Sequence, residues 1–211
     1  WHPSGLHWEL PLGLSFHTFQ SLGYVIEVYR GRAPENNLKR YATFVMFFPQ
    51  LVAGPIERAG GLLRQFATTP MLTSDRAARG LRLMAWGFFQ KMAIADRLAV
   101  YVNAAFSDPT SFNGTALLIA TVFFSFQIYC DFSGYTDIAL GAARIMGFDL
   151  MQNFRTPYRS ASISEFWQRW HISLSTWFRD YVYIPIGGNK GGVFQHRRNL
   201  VVTFLLSGLW P

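Results

Sequence analysis

PTSFNGTALLIATVFFSFQIYC, residues Pro109–Cys130, carries no charge in 22 positions and runs straight into DFSGYTDIALGAARIMG, residues Asp131–Gly147. A helix of about 20 apolar residues crosses the hydrocarbon core of a bilayer. The first stretch therefore predicts a spanning helix. The second sets a problem for it, because Asp131 and Asp137 follow at a depth where an unpaired carboxylate is costly. If the helix continues, Gly134, Asp137, Gly141 and Arg144 share one broad face. Gly134 and Gly141 then allow another helix to approach closely. Asp137 and Arg144 lie two turns, about 10 Å, apart along that helix, so direct pairing does not follow. Two readings stand: a helix lining a polar tunnel, or a polar contact between helices.

Outward from this segment the chain keeps the same character. Its 211 residues are 50% apolar and 17% aromatic but only 15% charged, with a formal charge of +7. So much Phe, Tyr and Trp excludes a disordered segment. One cysteine, Cys130, excludes a disulfide scaffold and paired-cysteine zinc sites, and no metal site is expected. The basic residues form short clusters between long uncharged stretches, which favours lipid over nucleic acid as the partner. Leu10–Ile26 and Tyr41–Ile56 are uncharged but too short to span upright, and read as short, tilted or re-entrant helices. Gly80–Phe106 is helical in pattern yet holds Arg82, Lys91, Asp96 and Arg97, which in lipid must face protein or water. Leu200–Trp210 begins a further apolar helix. The competing reading is a soluble, aromatic-rich helical domain, since mean hydropathy is only +0.13. Pro49 and the Gly54-Pro55 pair interrupt FFPQLVAGPIER, residues Phe47–Arg58, which reads either as a cavity wall or as a plain loop.

The stretch SISEFWQRWHISLSTWFRDYVY, residues Ser162–Tyr183, opens with a capping box, Ser162 with Glu165. One helix is expected from there to Pro185, with Phe166, Trp167, Trp170, Leu174, Trp177, Phe178 and Tyr181 as its apolar stripe. Arg169, Ser173, Thr176 and Asp180 take the other face, which suits a helix at the membrane interface or closing a tunnel mouth. His171 sits beside the aromatic stripe, where burial favours the neutral imidazole. Taken alone it is either a catalytic group or a satisfied core residue. His17 has no partner readable from sequence, and His2, His7 and His196 are assigned nothing. Gly187–Gly192, GGNKGG, lacks the Lys-Ser/Thr of a phosphate-binding loop and reads as a connection.

Five stretches together resemble the membrane-bound O-acyltransferase family, in its bacterial polymer-modifying branch, the alginate-type acetyltransferases foremost. They are Pro11–Gly31, Phe47–Arg58, Tyr129–Phe148, Asn153–Asn189 and Leu205–Trp210, in the family's order. The resemblance implies an all-α, polytopic fold of helices and re-entrant helices around a central tunnel. It implies a multi-pass protein of the bacterial inner membrane. The donor is an acyl thioester, acetyl-CoA or an acyl carrier, with no bound cofactor, and the acceptor is the hydroxyl of an exported polysaccharide. A periplasmic transferase or export-complex proteins are the implied partners, and nucleic acid is not. Of the two histidines that matter in the family, one is His171, in R-W-H-x-S-L-S. The other follows Gly-Leu-Trp, where this chain has Pro211. Asp131, Ser133, Asp137, Asn153, Trp167, Arg169, Trp170 and Ser173 are the implied substrate and tunnel residues. Residues 1–211 thus read as one partial domain, truncated at both ends, without an initiating Met or a signal peptide, and as inactive by itself. The alternatives are a non-catalytic acyl conduit serving a periplasmic acetyltransferase, and a secondary transporter, for which no inverted repeat is visible.

Overall fold

The computed structural model describes residues 13–51, 54–70 and 72–209, and among them there is no β-strand. His2, His7, Trp210, Pro211 and the first residues of the Leu10–Ile26 stretch lie outside the described residues, as do 52 and 53. Among the described residues nine α-helices follow one another: α1 (Leu14–Tyr29), α2 (Leu38–Val45), α3 (Ala59–Phe66), α4 (Ser74–Phe88), α5 (Asp96–Ser107), α6 (Gly114–Ile145), α7 (Ile163–Arg169), α8 (Ile172–Phe178) and α9 (Val193–Gly208). A π-helical segment, Phe89–Ala95, joins α4 to α5 without a break, and another, Arg179–Tyr183, extends α8.

The decisive apolar run forms α6, 32 residues long and apolar enough to cross a membrane by length and composition. Asn113 starts it, its side chain accepting from the Ala116 amide at 2.8 Å. Its outer face shows Leu118, Ile119, Val122, Phe124 and Phe126 exposed, the pattern of a surface meant for lipid rather than water. Packed antiparallel along it is the continuous rod α4–π–α5, about 50 Å long by the helical rise. Of the four charged residues expected to face protein or water, Lys91 and Asp96 find protein, while Arg82 and Arg97 are exposed. Lys91 pairs with Asp131 of α6 at 2.6 Å and with Asp96 at 2.7 Å, and Gln90 donates to Asp137 at 2.7 Å.

Small residues set the distance between the two rods. A Cβ on Gly134 would lie 2.8 Å from the Gly87 carbonyl oxygen, and one on Gly141 would lie 2.6 Å from that of Gly80. The seven-residue spacing noted in α6 is thus matched by an equal spacing in α4. Against the C-terminal half of α6, an aromatic and aliphatic core gathers Phe44, Phe47, Leu62, Leu63, Leu140 and Ala143. A second core joins Phe19 of α1 to Trp177 and Phe178 of α8, with the Trp177 indole donating to the Phe19 carbonyl at 3.0 Å.

One expectation fails here. The helix expected from Ser162 to Pro185 is two helices, because it breaks at Trp170 and His171. Trp170 is extended and His171 is left-handed, with φ 43°. The capping box is present, but its return bond goes one residue further back. Ser162 accepts from the Glu165 amide at 3.1 Å, while Glu165 accepts from the Ala161 amide at 2.7 Å.

Candidate functional site

The break at His171 is held from a distance by Asn153. The first amides of a helix have no partner within it. In α8, the Ile172 amide donates to the Asn153 carbonyl oxygen at 2.9 Å, and the Ser173 amide donates to Asn153 Oδ1 at 3.3 Å. One residue, 1% exposed and far away in sequence, thus caps α8 with both its backbone and its side chain. The same loop strand is tied to α7, where the Arg155 amide donates to the Arg169 carbonyl at 2.9 Å. With the Arg169 carbonyl on one side of the break and the Ile172 and Ser173 amides on the other anchored to this loop, His171 occupies a backbone region that non-glycine residues seldom adopt. Strain of this kind persists only where the surroundings over-determine it, and it gathers at functional sites.

The imidazole stands edge-on to Phe132 of α6, ring centres 4.6 Å apart. Phe132 in turn meets Phe154, and Phe154 meets Trp170, each at 5.1 Å between ring centres. Within this aromatic wall, three polar atoms are sealed from solvent without a hydrogen-bond partner: His171 Nε2, Asn153 Nδ2 and Ser173 Oγ. Buried polar groups are nearly always paired, so three orphans on adjoining residues need an explanation. Together they offer an imidazole nitrogen, an amide donor and a hydroxyl, which suits a polar guest with an oxygen to hold.

Burial drives the His171 pKa down to about 4 and keeps the ring neutral at pH 7. The residue as a whole retains some accessible surface, but Nε2 itself does not. A neutral ring with so low a pKa is a poor general base and a good neutral hydrogen-bonding group.

The other expected site residues fall in three places. Asn153, Trp170, His171 and Ser173 come together. Ser133 is buried on α6, while Asp131 and Asp137 turn to the α4–π–α5 rod and are engaged by Lys91 and Gln90. Arg169 pairs with Glu165 at 2.5 Å, and the Trp167 ring meets Phe204 of α9. Between α8 and α9, the GGNKGG connection is pinned by Asn199, which is fully buried and donates to the Gly188 carbonyl at 2.9 Å.

Glu57 escaped the sequence reading. It is 8% exposed just before α3 and accepts from the Met151 amide at 2.5 Å. Burial raises its carboxyl to about 7. The signal was the one that marked Asp131, a carboxylate closing an apolar run.

Both groups lie outside the spanning helix, and their effects on stability have opposite signs. His171 titrates near 4 folded and near 6.5 unfolded, so the unfolded chain takes up the proton first as pH falls. Stability is therefore lost from pH 6.5 down to 4, by about 3 kcal/mol. Glu57 titrates near 7 folded and near 4.5 unfolded, so stability is lost as pH rises from 4.5 to 7, by about the same amount. The two slopes largely cancel between pH 4.5 and 6.5. Thermal unfolding of the intact protein in detergent at stepped pH is expected to show this. Glu57→Gln exposes a stability that rises with pH, and His171→Asn exposes one that falls. Parallel profiles for the two variants would contradict both assignments.

The model of the membrane-bound O-acyltransferase family matches residues 25–210. A Pseudomonas aeruginosa protein named "Probable alginate O-acetylase AlgI" is 49% identical over 205 residues, 97% of this chain and 39% of that protein. A Helicobacter pylori peptidoglycan O-acetyltransferase is 36% identical over 236 residues, covering 99% of this chain and 45% of its own length. A teichoic acid D-alanyltransferase of Streptococcus thermophilus is 30% identical over 215 residues, with 94% of this chain and 51% of that protein covered. The chain thus spans about two fifths to one half of the length of these curated relatives.

Proposed function

This chain belongs to the membrane-bound O-acyltransferase family, and on that premise we propose that the intact protein is an integral-membrane O-acetyltransferase that modifies an exported polysaccharide such as alginate. The observation that carries the reading is the trio of sealed, unpartnered polar atoms on Asn153, His171 and Ser173, walled by aromatic rings at a strained helix break. The similarity to the alginate O-acetylase supports the acetyl group and the polymer.

The protein sits in the bacterial inner membrane and crosses it several times, with its helices around a tunnel. The acyl group arrives as a thioester, acetyl-CoA or an acyl carrier, from the cytoplasmic side. An acceptor hydroxyl oxygen attacks the thioester carbonyl carbon, the C–S bond breaks, and an ester C–O bond forms. A base takes the hydroxyl proton and the departing thiolate is protonated. The family resemblance places that base at a histidine after Gly-Leu-Trp, the position at which this chain has Pro211. His171, neutral and recessed, positions the donor carbonyl or the acceptor hydroxyl by a hydrogen bond from Nε2. Asn153 supplies a second donor and holds the loop. Trp170 and Phe132 keep water out. Asp131 and Asp137 hold the spanning helix against its neighbour and stay out of the chemistry. A periplasmic transferase or export-complex proteins are its expected partners.

The test is polymer acetylation in a host deleted for its own acetylase. Full-length protein is expected to restore ester-linked acetyl groups on the exported polymer. Purified full-length protein in vesicles is expected to transfer acetyl from a thioester to a soluble oligosaccharide. Restoration in cells without transfer by the purified protein would instead establish a conduit serving a separate transferase. Absence of both would refute the reading.

A further inference from the structure

We infer that a second site, a receptor for a phosphate ester, lies at the end of the α4–α6 pair, about 18 Å along α6 from the aromatic wall around His171. There Arg76 and Arg79 from the first turns of α4 meet Arg144 from the last turn of α6 around a cleft of about 230 Å³. The remaining lining residue is Asp149, so three guanidinium groups face a single carboxylate across the space.

The carboxylate satisfies them incompletely. Asp149 approaches Arg76 at 3.0 Å and Arg144 only at 3.7 Å, and Arg79 is held by Asp75 at 2.6 Å. Arg76 Nε is sealed from solvent and has no acceptor. A buried guanidinium N–H without an acceptor costs free energy, and a tetrahedral oxyanion can supply several acceptors at once where one carboxylate cannot.

The cleft is also fixed in place. The backbone of Asp149 is clasped by Gln65, whose side chain accepts from its amide at 2.8 Å and donates to its carbonyl at 2.9 Å. Asp149 therefore stands in the mouth as a built-in anion that a phosphate would join or displace. Arg76 and Arg79 extend from the N-terminal turns of α4, whose dipole also favours an anion. The cleft closes the end of the apolar helix, where headgroup phosphates and water-borne phosphate esters are both within reach. The chemistry that fits is a phosphate mono- or diester, carried by an anionic lipid headgroup or by a soluble phosphorylated molecule. This proposal stands apart from the reading of His171.

The test titrates inorganic phosphate against intact protein in neutral detergent, with chloride at matched ionic strength as control, and follows the unfolding midpoint. Phosphate is expected to raise it saturably beyond chloride. Arg76→Gln and Arg144→Gln are each expected to weaken apparent affinity about tenfold, the loss of one charge-assisted bond. Asp149→Asn is expected to tighten it, by removing the competing carboxylate. Arg79→Gln, on the exposed rim, keeps the test informative if Arg76→Gln fails to fold. Nanodiscs then separate the sources. Stabilisation by phosphatidylglycerol over phosphatidylcholine, lost in the arginine variants, identifies a headgroup. Phosphate binding with no lipid preference identifies a soluble ester. Equal effects of phosphate and chloride, arginine variants that bind like the parent, or weaker binding by Asp149→Asn would each overturn the site.

Discussion

Replacing His171 with Asn in the intact protein is expected to lower polymer acetylation at least ~100-fold while leaving its amount in the membrane near that of the parent. The magnitude is that of removing one preorganised hydrogen-bond donor or acceptor from the reacting carbonyl. The choice of Asn follows from the backbone. His171 has φ 43°, and Asn adopts that left-handed region more readily than most residues. His171→Ala tests the same bond but also opens a gap against the Phe132 ring, so a fall in activity there mixes chemistry with packing. With Asn, the fold is kept and the imidazole is lost. If His171 positions rather than deprotonates, the residual activity of the variant should keep the pH profile of the parent, because a group titrating near 4 does not limit the rate around neutrality. Unchanged acetylation at normal membrane levels would remove His171 from the mechanism. A shifted pH profile would make it the base instead.

The reason this residue sits where it does was not legible locally. Ser162, Glu165 and an unbroken aromatic stripe all favour one helix through Trp170 and His171. The break depends on Asn153, which caps the Ile172 and Ser173 amides from 19 and 20 residues upstream. Nothing in a helical period reveals an acceptor that the fold brings from outside. The same holds for Asp131. Sequence marked it as a carboxylate that lipid excludes, but its partner Lys91 stands 40 residues earlier, so the sequence left open whether it met a tunnel or a neighbouring helix. What was legible depended on period alone: the long uncharged run that became α6, and the glycines seven apart on one face. Glu57 lay between these cases. Its position after an apolar run was visible, but its burial follows from the way the 54–58 segment folds beneath the Met151 amide.

The glycine pairs carry the second large effect. Gly134→Ala is expected to destabilise the intact protein by about 1–3 kcal/mol, the usual cost of overpacking, and Gly134→Val by more. The new Cβ would lie 2.8 Å from the Gly87 carbonyl oxygen and 3.2 Å from the Lys91 amide nitrogen, both backbone atoms that cannot swing aside. The rods must therefore separate. The Lys91–Asp131 pair at 2.6 Å and the Gln90–Asp137 bond at 2.7 Å lie on either side of that contact. Moving the rods apart stretches both, and it leaves two carboxylates short of partners on a helix built for lipid. The steric and polar losses are coupled, because they share one interface. Gly114→Ala is the matched control, being in the same helix with nothing within 4 Å of the added methyl group. It should be neutral or slightly stabilising through helix propensity. Unfolding midpoints of the three variants in one detergent decide the matter. Gly134→Ala behaving like Gly114→Ala would mean that the rods are not in contact at Gly87. A loss that disappears when Asp131→Asn and Lys91→Met are combined with it would assign the cost to the ion pair rather than to the steric clash.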